Sequence, residues 1–160
     1  MVHPDKNYTY WRFCRWPAGN DSIVFSSGIK PTTVKFDLPK SGLFIGCLPV
    51  MCFSYIDYVY KGKVGHVTTA AELKQFLGRI DNLEEALLLA KESEDVFIDP
   101  ENSKGGAYFI GKNGFHLLLM RYNNCPETKE SIFLRIEKDS GIVKKVNLGA
   151  YYKSKTCIMY

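Results

Sequence analysis

Apolar residues recur at helical spacing between residues 67 and 92, where the local signals of the chain are strongest. Thr69 followed by Glu72 matches a capping box, in which the hydroxyl accepts from a first-turn N–H and the carboxylate reaches back to the cap residue. Gly78 can adopt the left-handed conformation that ends a helix. The stretch Asp81–Glu84 then repeats the cap pattern. This region therefore predicts two short helices in succession.

Apolar and polar residues alternate in the last third of the chain, as expected for strands with one buried face. The pair Asn113–Gly114 predicts a tight hairpin between Ala107–Ile110 and the nearly continuous apolar run Phe115–Tyr122. The pattern continues with Ser131–Lys138 and, after a turn, Ile142–Asn147. We therefore expect a series of antiparallel hairpins.

Strand signals in the first sixty residues are shorter and are interrupted by glycine and proline. The stretch Tyr8–Trp16 alternates, although neither of its faces is purely apolar. Phe53–Tyr60 is a clearer strand, because Lys61–Gly62 follows it with hairpin-turn chemistry. Ser22–Ser26 and Thr33–Asp37 are predicted as short strands in a loop-rich region.

Helices followed by consecutive antiparallel hairpins indicate an α+β fold. We predict that the helix pair packs on a curved antiparallel sheet, as in cystatin-like folds, beside an irregular β-rich N-terminal region. The chain has 160 residues, no internal repeat and no marked shift in composition. These properties predict a single domain over residues 1–160.

Charge and hydropathy restrict the classes of partner. The net charge is only +4 and the basic residues form no more than short clusters, which is too little for the basic footprint of a nucleic-acid-binding protein. The uncharged run between Lys40 and Asp57 is shorter than the ~20 residues of a membrane-spanning helix, and Pro49 interrupts it. We therefore expect no nucleic-acid partner and no membrane span.

Five cysteines in this length exceed ordinary usage without reaching the density of a disulfide scaffold. Their wide spread favours two bridges and one remaining thiol, and five reduced cysteines in a cytosolic domain are the alternative. Cys125 and Cys157 are the preferred long-range pair, because both lie near strand ends. Cys47 and Cys52 can close a local loop.

The sequence contains no recognisable catalytic or metal-binding motif. Cys47 and Cys52 have loose zinc-ligand spacing, but no second close pair of cysteines or histidines accompanies them. His116 heads an apolar strand, where a hydrogen-bonded structural histidine is the simpler interpretation. Nucleophile-elbow, metalloprotease and phosphate-loop motifs are absent. We expect a protein without catalytic activity, cofactor or metal.

An aromatic and arginine-rich strand near the N terminus is the strongest candidate for a binding surface. Its residue types are enriched at interface hot spots. The alternative is a strand whose rings cover the core while its arginines are solvated. The loop at residues 100–106 is a second, weaker candidate. The candidate binding residues of the strand are Trp11, Arg12, Phe13, Arg15 and Trp16.

Three segments resemble a group of uncharacterised bacterial proteins that are often exported or lipid-anchored. They are Cys47–Cys52 (CLPVMC), the hairpin that ends at Lys61–Lys63, and Phe76–Ala90 (FLGRIDNLEEALLLA). In that group a Phe-Leu-Gly-x-Ile-Asp motif leads into a Glu-Ala-Leu helix. The resemblance implies disulfides and a periplasmic or extracellular location, and it implies no established activity. The chain departs from the exported pattern in lacking a signal sequence, so a cytoplasmic location is the alternative.

These observations predict a non-enzymatic protein-binding module of the bacterial cell envelope, for example an inhibitor or an immunity protein that blocks another protein. Two alternatives stay open. One is a thiol-dependent enzyme that uses Cys14 or another cysteine together with His116. The other is a carrier that holds a small ligand in an apolar cavity between sheet and helix.

Overall fold

The chain is an α+β protein with two antiparallel sheets and two helices. The computed structural model describes residues 2–16, 22–46 and 52–157. The chain divides into two compact units, an N-terminal unit of residues 3–78 and a C-terminal unit of residues 79–160 with the first residues of the chain. The α+β class is confirmed, and the single domain stays a prediction.

The N-terminal unit is a five-stranded antiparallel sheet with one helix. Its elements are β1 Tyr10–Trp16, β2 Ser22–Gly28, β3 Leu43–Gly46, β4 Cys52–Tyr60, β5 Lys63–Val67 and α1 Ala70–Leu77. Strand β4 pairs with β1, β3 and β5, and β2 is an edge strand that pairs with β1. The predicted strand Thr33–Asp37 does not form, and this stretch is irregular.

The predicted capping box of α1 is present. The Glu72 N–H donates to the Thr69 hydroxyl at 3.3 Å, and the Thr69 N–H donates to the Glu72 carboxylate at 3.1 Å. Gly78 ends the helix with φ 64°, and its N–H donates to the Lys74 carbonyl. The buried side chains of α1 then cover one face of the sheet, where the Phe76 ring lies 5.5 Å from the Trp11 ring.

The C-terminal unit is a four-stranded antiparallel sheet with one helix. Its elements are α2 Leu83–Glu94, β6 Gly106–Ile110, β7 Gly114–Asn124, β8 Glu127–Glu137 and β9 Val143–Lys153. The strand order is β6-β7-β8-β9, so all three connections are hairpins. The hairpins are confirmed, and β8 and β9 are longer than predicted. Leu117 and Leu119 of β7 share a buried face with Ile132 and Leu134 of β8.

The cap of α2 lies one residue later than predicted. The Glu85 N–H donates to Asn82 Oδ1 at 3.0 Å, and the Glu85 carboxylate accepts from the Asp81 N–H at 2.9 Å. Asn82 and Asp81 are both good cap residues, each three positions before a glutamate, so the sequence alone does not choose between them. Glu85 is fully buried, although negative charge in the first turn of a helix is usually solvated.

The two predicted helices belong to different units. Each helix therefore accompanies a sheet of its own, with α1 following the N-terminal sheet and α2 preceding the C-terminal one. Within the described ranges, no helix has the length and apolar character required to cross a membrane.

Candidate binding surface

Strand β1, the predicted binding strand, is an interior strand paired with β2 on one side and β4 on the other. Its residues Trp11 and Arg12 are only 7% and 8% exposed. Phe13 and Trp16 are half-buried, and Arg15 is exposed. Because alternate residues of a strand lie on opposite faces, these five side chains do not form one surface. Trp11 and Arg12 in particular are covered by the rest of the unit.

Both tryptophan rings of β1 pack on other aromatic rings, Trp11 as a buried and Trp16 as a half-buried side chain. The Trp11 ring lies 5.1 Å from the Phe25 ring and 5.5 Å from the Phe76 ring. The Trp16 ring stacks on Phe53 at 5.3 Å. Aromatic pairs at these separations stabilise a core beyond the area they bury. Trp11 therefore contributes to the core, as the alternative prediction for this strand has it.

Arg12 belongs to a row of polar side chains that crosses three strands. It lies opposite Asp57 of β4, which in turn lies opposite His66 of β5. The guanidinium donates twice to Asp57 Oδ2, at 2.8 and 2.7 Å, and His66 Nδ1 lies 2.6 Å from Asp57 Oδ1. The guanidinium also packs on the Phe36 ring at 4.7 Å. Arg12 thus compensates a carboxylate that has no exposure to solvent.

The sequence patterns did not predict this polar row, although one residue of β4 indicated that a buried charge needs partners. Asp57 is the only charged residue in the apolar strand FSYIDYVY. A carboxylate at a core position requires hydrogen-bonding or charged partners, because burying an uncompensated charge is costly. The sequence does not show which residues those partners are, since Arg12 is 45 positions away.

The His66–Asp57 pair orients an imidazole, but its surroundings do not add the other parts of a catalytic or metal site. His66 lines a small cavity of about 150 Å³ together with Tyr8, and burial raises the pKa of Tyr8 to about 12. A phenol with a raised pKa is a poor nucleophile at neutral pH. Among the described residues there is no cluster of three or more potential metal ligands. We interpret the row as structural.

The structure confirms one predicted disulfide, between Cys125 and Cys157. Cys52 is also disulfide-bonded, and its predicted partner Cys47 lies outside the described residues. Cys14 remains a thiol and is fully buried in β1.

The C-terminal sheet has one face that α2 does not cover. Alternate side chains of a strand lie on opposite faces, and the strand register places eight residues of this face in two rows across the four strands. We call this surface the open sheet face. The first row consists of Phe109, His116, Arg135 and Lys144, and the second of Ala107, Leu118, Phe133 and Val146.

Aromatic rings form the centre of the open sheet face. The His116 imidazole lies 5.9 Å from the Phe109 ring and 5.9 Å from the Phe133 ring. Phe109 is 67% exposed, and Val146 is 53% exposed. Apolar side chains at this exposure, held on four paired strands, are typical of an interaction surface.

Two cations lie at one end of the first row. Arg135 and Lys144 are opposite each other on β8 and β9, and both are exposed. The Lys144 ammonium donates to Glu137 at 3.1 Å. A hydrogen bond from the Ser140 hydroxyl, together with Lys144, lowers the pKa of Glu137. This end of the surface therefore has two positive charges and one carboxylate.

The other end of this sheet is covered by the loop that precedes β6. Asp99 anchors the loop, because its carboxylate accepts from the Tyr151 hydroxyl at 2.8 Å and from the Lys129 ammonium at 3.1 Å. The Tyr151 hydrogen bond, followed by that of Lys129, lowers the pKa of Asp99. The Ser131 hydroxyl donates to the Lys104 carbonyl of the same loop. The candidate loop at residues 100–106 is thus attached to the sheet.

An apolar groove of about 500 Å³ lies beside α2 in the same unit. At its edge the Lys91 ammonium lies 3.4 Å from the centre of the Phe97 ring and 2.5 Å from the Asp95 carboxylate. The groove is lined by Glu84, Leu87, Leu88, Lys91, Val96, Phe97, Ile98 and Leu119.

If Arg12 and Asp57 serve the fold, Asp57→Leu should lower the free energy of unfolding by about 3–5 kcal/mol, because buried Arg12 loses its carboxylate. The double variant Arg12→Leu/Asp57→Leu should recover part of this loss. Chemical denaturation measures both. Asp37→Leu, at an exposed position, is the control and should change stability by less than about 0.5 kcal/mol. Equal losses from Asp57→Leu and Asp37→Leu would contradict a structural role for the row.

No protein-family model matches the chain, and no curated protein or solved structure is significantly similar to it. The resemblance to exported bacterial proteins therefore stays a prediction.

Proposed function

We propose that this protein is a non-enzymatic protein-binding module and that it contacts its partner through the open sheet face. The observation that carries the proposal is the exposure of Phe109 and Val146 on a face whose backbone is held by three strand pairings. A rigid apolar surface loses little conformational entropy on binding, so more of its buried area contributes to affinity. Arg135 and Lys144 at the edge of the face favour a partner with carboxylates at the rim of its own surface.

The charge of the C-terminal unit supports a protein partner over a nucleic acid. Residues 79–160 contain twelve basic and twelve acidic residues, so the net charge of the chain resides in residues 1–78. Binding to a phosphate backbone depends on a basic surface that neutralises several phosphates. The two exposed cations of the open sheet face are too few for that role.

The proposed setting is the bacterial cell envelope, in the periplasm or outside the cell, and the proposed activity is that of an inhibitor or immunity protein. The Cys125–Cys157 disulfide supports an oxidising compartment. A cystatin-like layout is proposed for the C-terminal unit alone, and the order of α2 before a four-stranded antiparallel meander supports it.

A binding experiment tests the proposed surface. The immobilised full chain should retain one protein from an envelope extract, and Val146→Asp and Arg135→Glu should each abolish retention, because they place negative charge on the face. Ile29→Asp is the matched control, since Ile29 is an exposed apolar residue of the N-terminal unit. It should leave retention unchanged. Circular dichroism checks that every variant folds.

Two results would contradict this proposal. One is retention that survives both Val146→Asp and Arg135→Glu. The other is retention that is lost with Arg15→Ala alone, which would return the binding surface to β1.

The thiol-enzyme alternative requires a reactive cysteine beside a base. Cys14 is fully buried and belongs to an apolar cluster with Phe53 and Tyr55. We therefore expect Cys14 to react slowly with a thiol reagent in the native protein and rapidly after unfolding, because a fully buried thiol is inaccessible to the reagent. Mass spectrometry after timed labelling measures both rates. Equally fast labelling in the two states would favour the enzyme.

The groove beside α2 favours a small-ligand carrier as the second candidate function, because its volume of about 500 Å³ falls within the range of ligand sites and its lining is mostly apolar. A fluorescent apolar probe such as anilinonaphthalene sulfonate should then bind saturably, and Leu88→Asp should abolish binding. Leu148→Asp, at an exposed position on β9, is the control. Probe binding that is absent from the parent protein, or unchanged in Leu88→Asp, would exclude this carrier site.

A further inference from the structure

We propose that β6 is a self-association edge, at which the β6 strands of two copies of this chain pair antiparallel around a twofold axis at Tyr108. The pairing joins two four-stranded sheets into one sheet of eight strands. This inference does not rest on the proposed function, because the backbone groups of the β6 edge carry it, although Phe109 and Ala107 of this strand also belong to the open sheet face.

The hydrogen-bonding alternation of β7 determines which backbone groups of β6 point outward. Gly114 at the start of β7 accepts from the Gly111 N–H, and Met120, six residues further along the strand, exchanges two hydrogen bonds with Phe97. These bonds lie on the side of β7 that faces β6. Because residues of an antiparallel strand alternate between neighbours, His116 must also bond toward β6.

The partners of His116 and Leu118 on β6 are Phe109 and Ala107. Their N–H and C=O groups are therefore used within the sheet. The backbone groups of the alternate residues, Gly106, Tyr108 and Ile110, point to the outer edge. In the described part of the chain, β6 is an edge strand with β7 as its neighbour in the sheet.

These three outward residues are symmetric about Tyr108. A twofold axis at that position pairs Tyr108 with Tyr108 and Gly106 with Ile110, so every outward N–H and C=O of the strand finds a partner. The same register places Phe109 opposite Ala107. Each large side chain beside the axis then faces a small one, which avoids crowding across the new pairing.

The side chains of β6 offer no obstacle to this pairing. The strand GAYFI has no charge and no proline, and Tyr108, Phe109 and Ile110 are exposed. Natural edge strands are commonly protected by lysine, proline or bulges. The opposite edge strand, β9, has three lysines and irregular register against β8. The lysines of β9 protect that edge from pairing with another strand, and β6 has no such protection. This difference favours β6 as the edge of this sheet that pairs.

A second copy is the occupant that these observations favour, because the outward groups and the side-chain sizes are self-complementary about one residue. Strand β2 of the N-terminal unit is also an uncharged edge strand, and it serves as the comparison. Five paired residues form a contact smaller than the ~1,600 Å² of a standard interface. We therefore expect a reversible dimer whose population rises with protein concentration.

Sedimentation equilibrium of the full chain should show a monomer–dimer equilibrium. Tyr108→Lys should weaken it by about tenfold or more, because the axis would place two ammonium groups opposite each other. Val24→Lys, at an exposed position on the edge strand β2, is the matched control and should leave the equilibrium unchanged. Tyr108 is exposed, so neither change removes a buried side chain.

A crosslinking variant gives a positive test that does not depend on loss of binding. Opposed residues of a hydrogen-bonded antiparallel pair have Cα atoms about 5.5 Å apart, which suits a disulfide. Tyr108→Cys should therefore form a covalent dimer on mild oxidation, and Val24→Cys should stay monomeric. A monomer at every concentration would overturn the proposal. Crosslinking by Val24→Cys with none by Tyr108→Cys would equally overturn it.

Discussion

Each sheet of this protein has one short helix to cover it, and a helix can cover only one face of a sheet. Helix α1 has eight residues and α2 has twelve, so neither extends far beyond the face on which it packs. Within each unit, no described helix covers the opposite face of the sheet. This limit decides which side chains become core, which require polar partners and which stay exposed.

In the N-terminal unit, polar side chains occupy part of the sheet face that α1 does not cover. Trp11 packs on the helix side of the sheet, and its neighbour Arg12 points to the other side. There the guanidinium lies between Asp57 and the Phe36 ring, so that a charged row takes the place of an apolar layer. An interior row that joins Asp57 of β4 to Arg12 of β1 and to His66 of β5 also specifies the register of these strands, because a shift of one residue would separate the partners.

In the C-terminal unit, part of the sheet face that α2 does not cover stays exposed. Its long strands β7 and β8 bury one face under α2, and the anchored Asp99 loop covers part of the other. The remaining part is the open sheet face, where Phe109 and Val146 lie in water. Stability alone does not require large apolar groups at exposed positions, and their presence on a rigid sheet is the reason to connect this face with binding.

Local signals in the sequence determined the helices, the turns and most of the strands. Thr69 with Glu72, Gly78 and the Asn113–Gly114 pair act through neighbours a few residues away, so the sequence suffices to identify them. These signals did not decide whether Asp81 or Asn82 is the N-cap of α2, because each of the two stands three positions before a glutamate. The pairing of Cys125 with Cys157 was predictable from strand ends.

Tertiary structure alone decided which residues are surface. Trp11 and Arg12 have the composition of a binding strand, but pairing on both sides makes β1 interior. Phe109 and Val146 look like core residues in the sequence, but α2 packs on the opposite face. Burial depends on contacts between distant parts of the chain, such as Arg12 with Asp57, whereas periodicity reports only which side chains share a face.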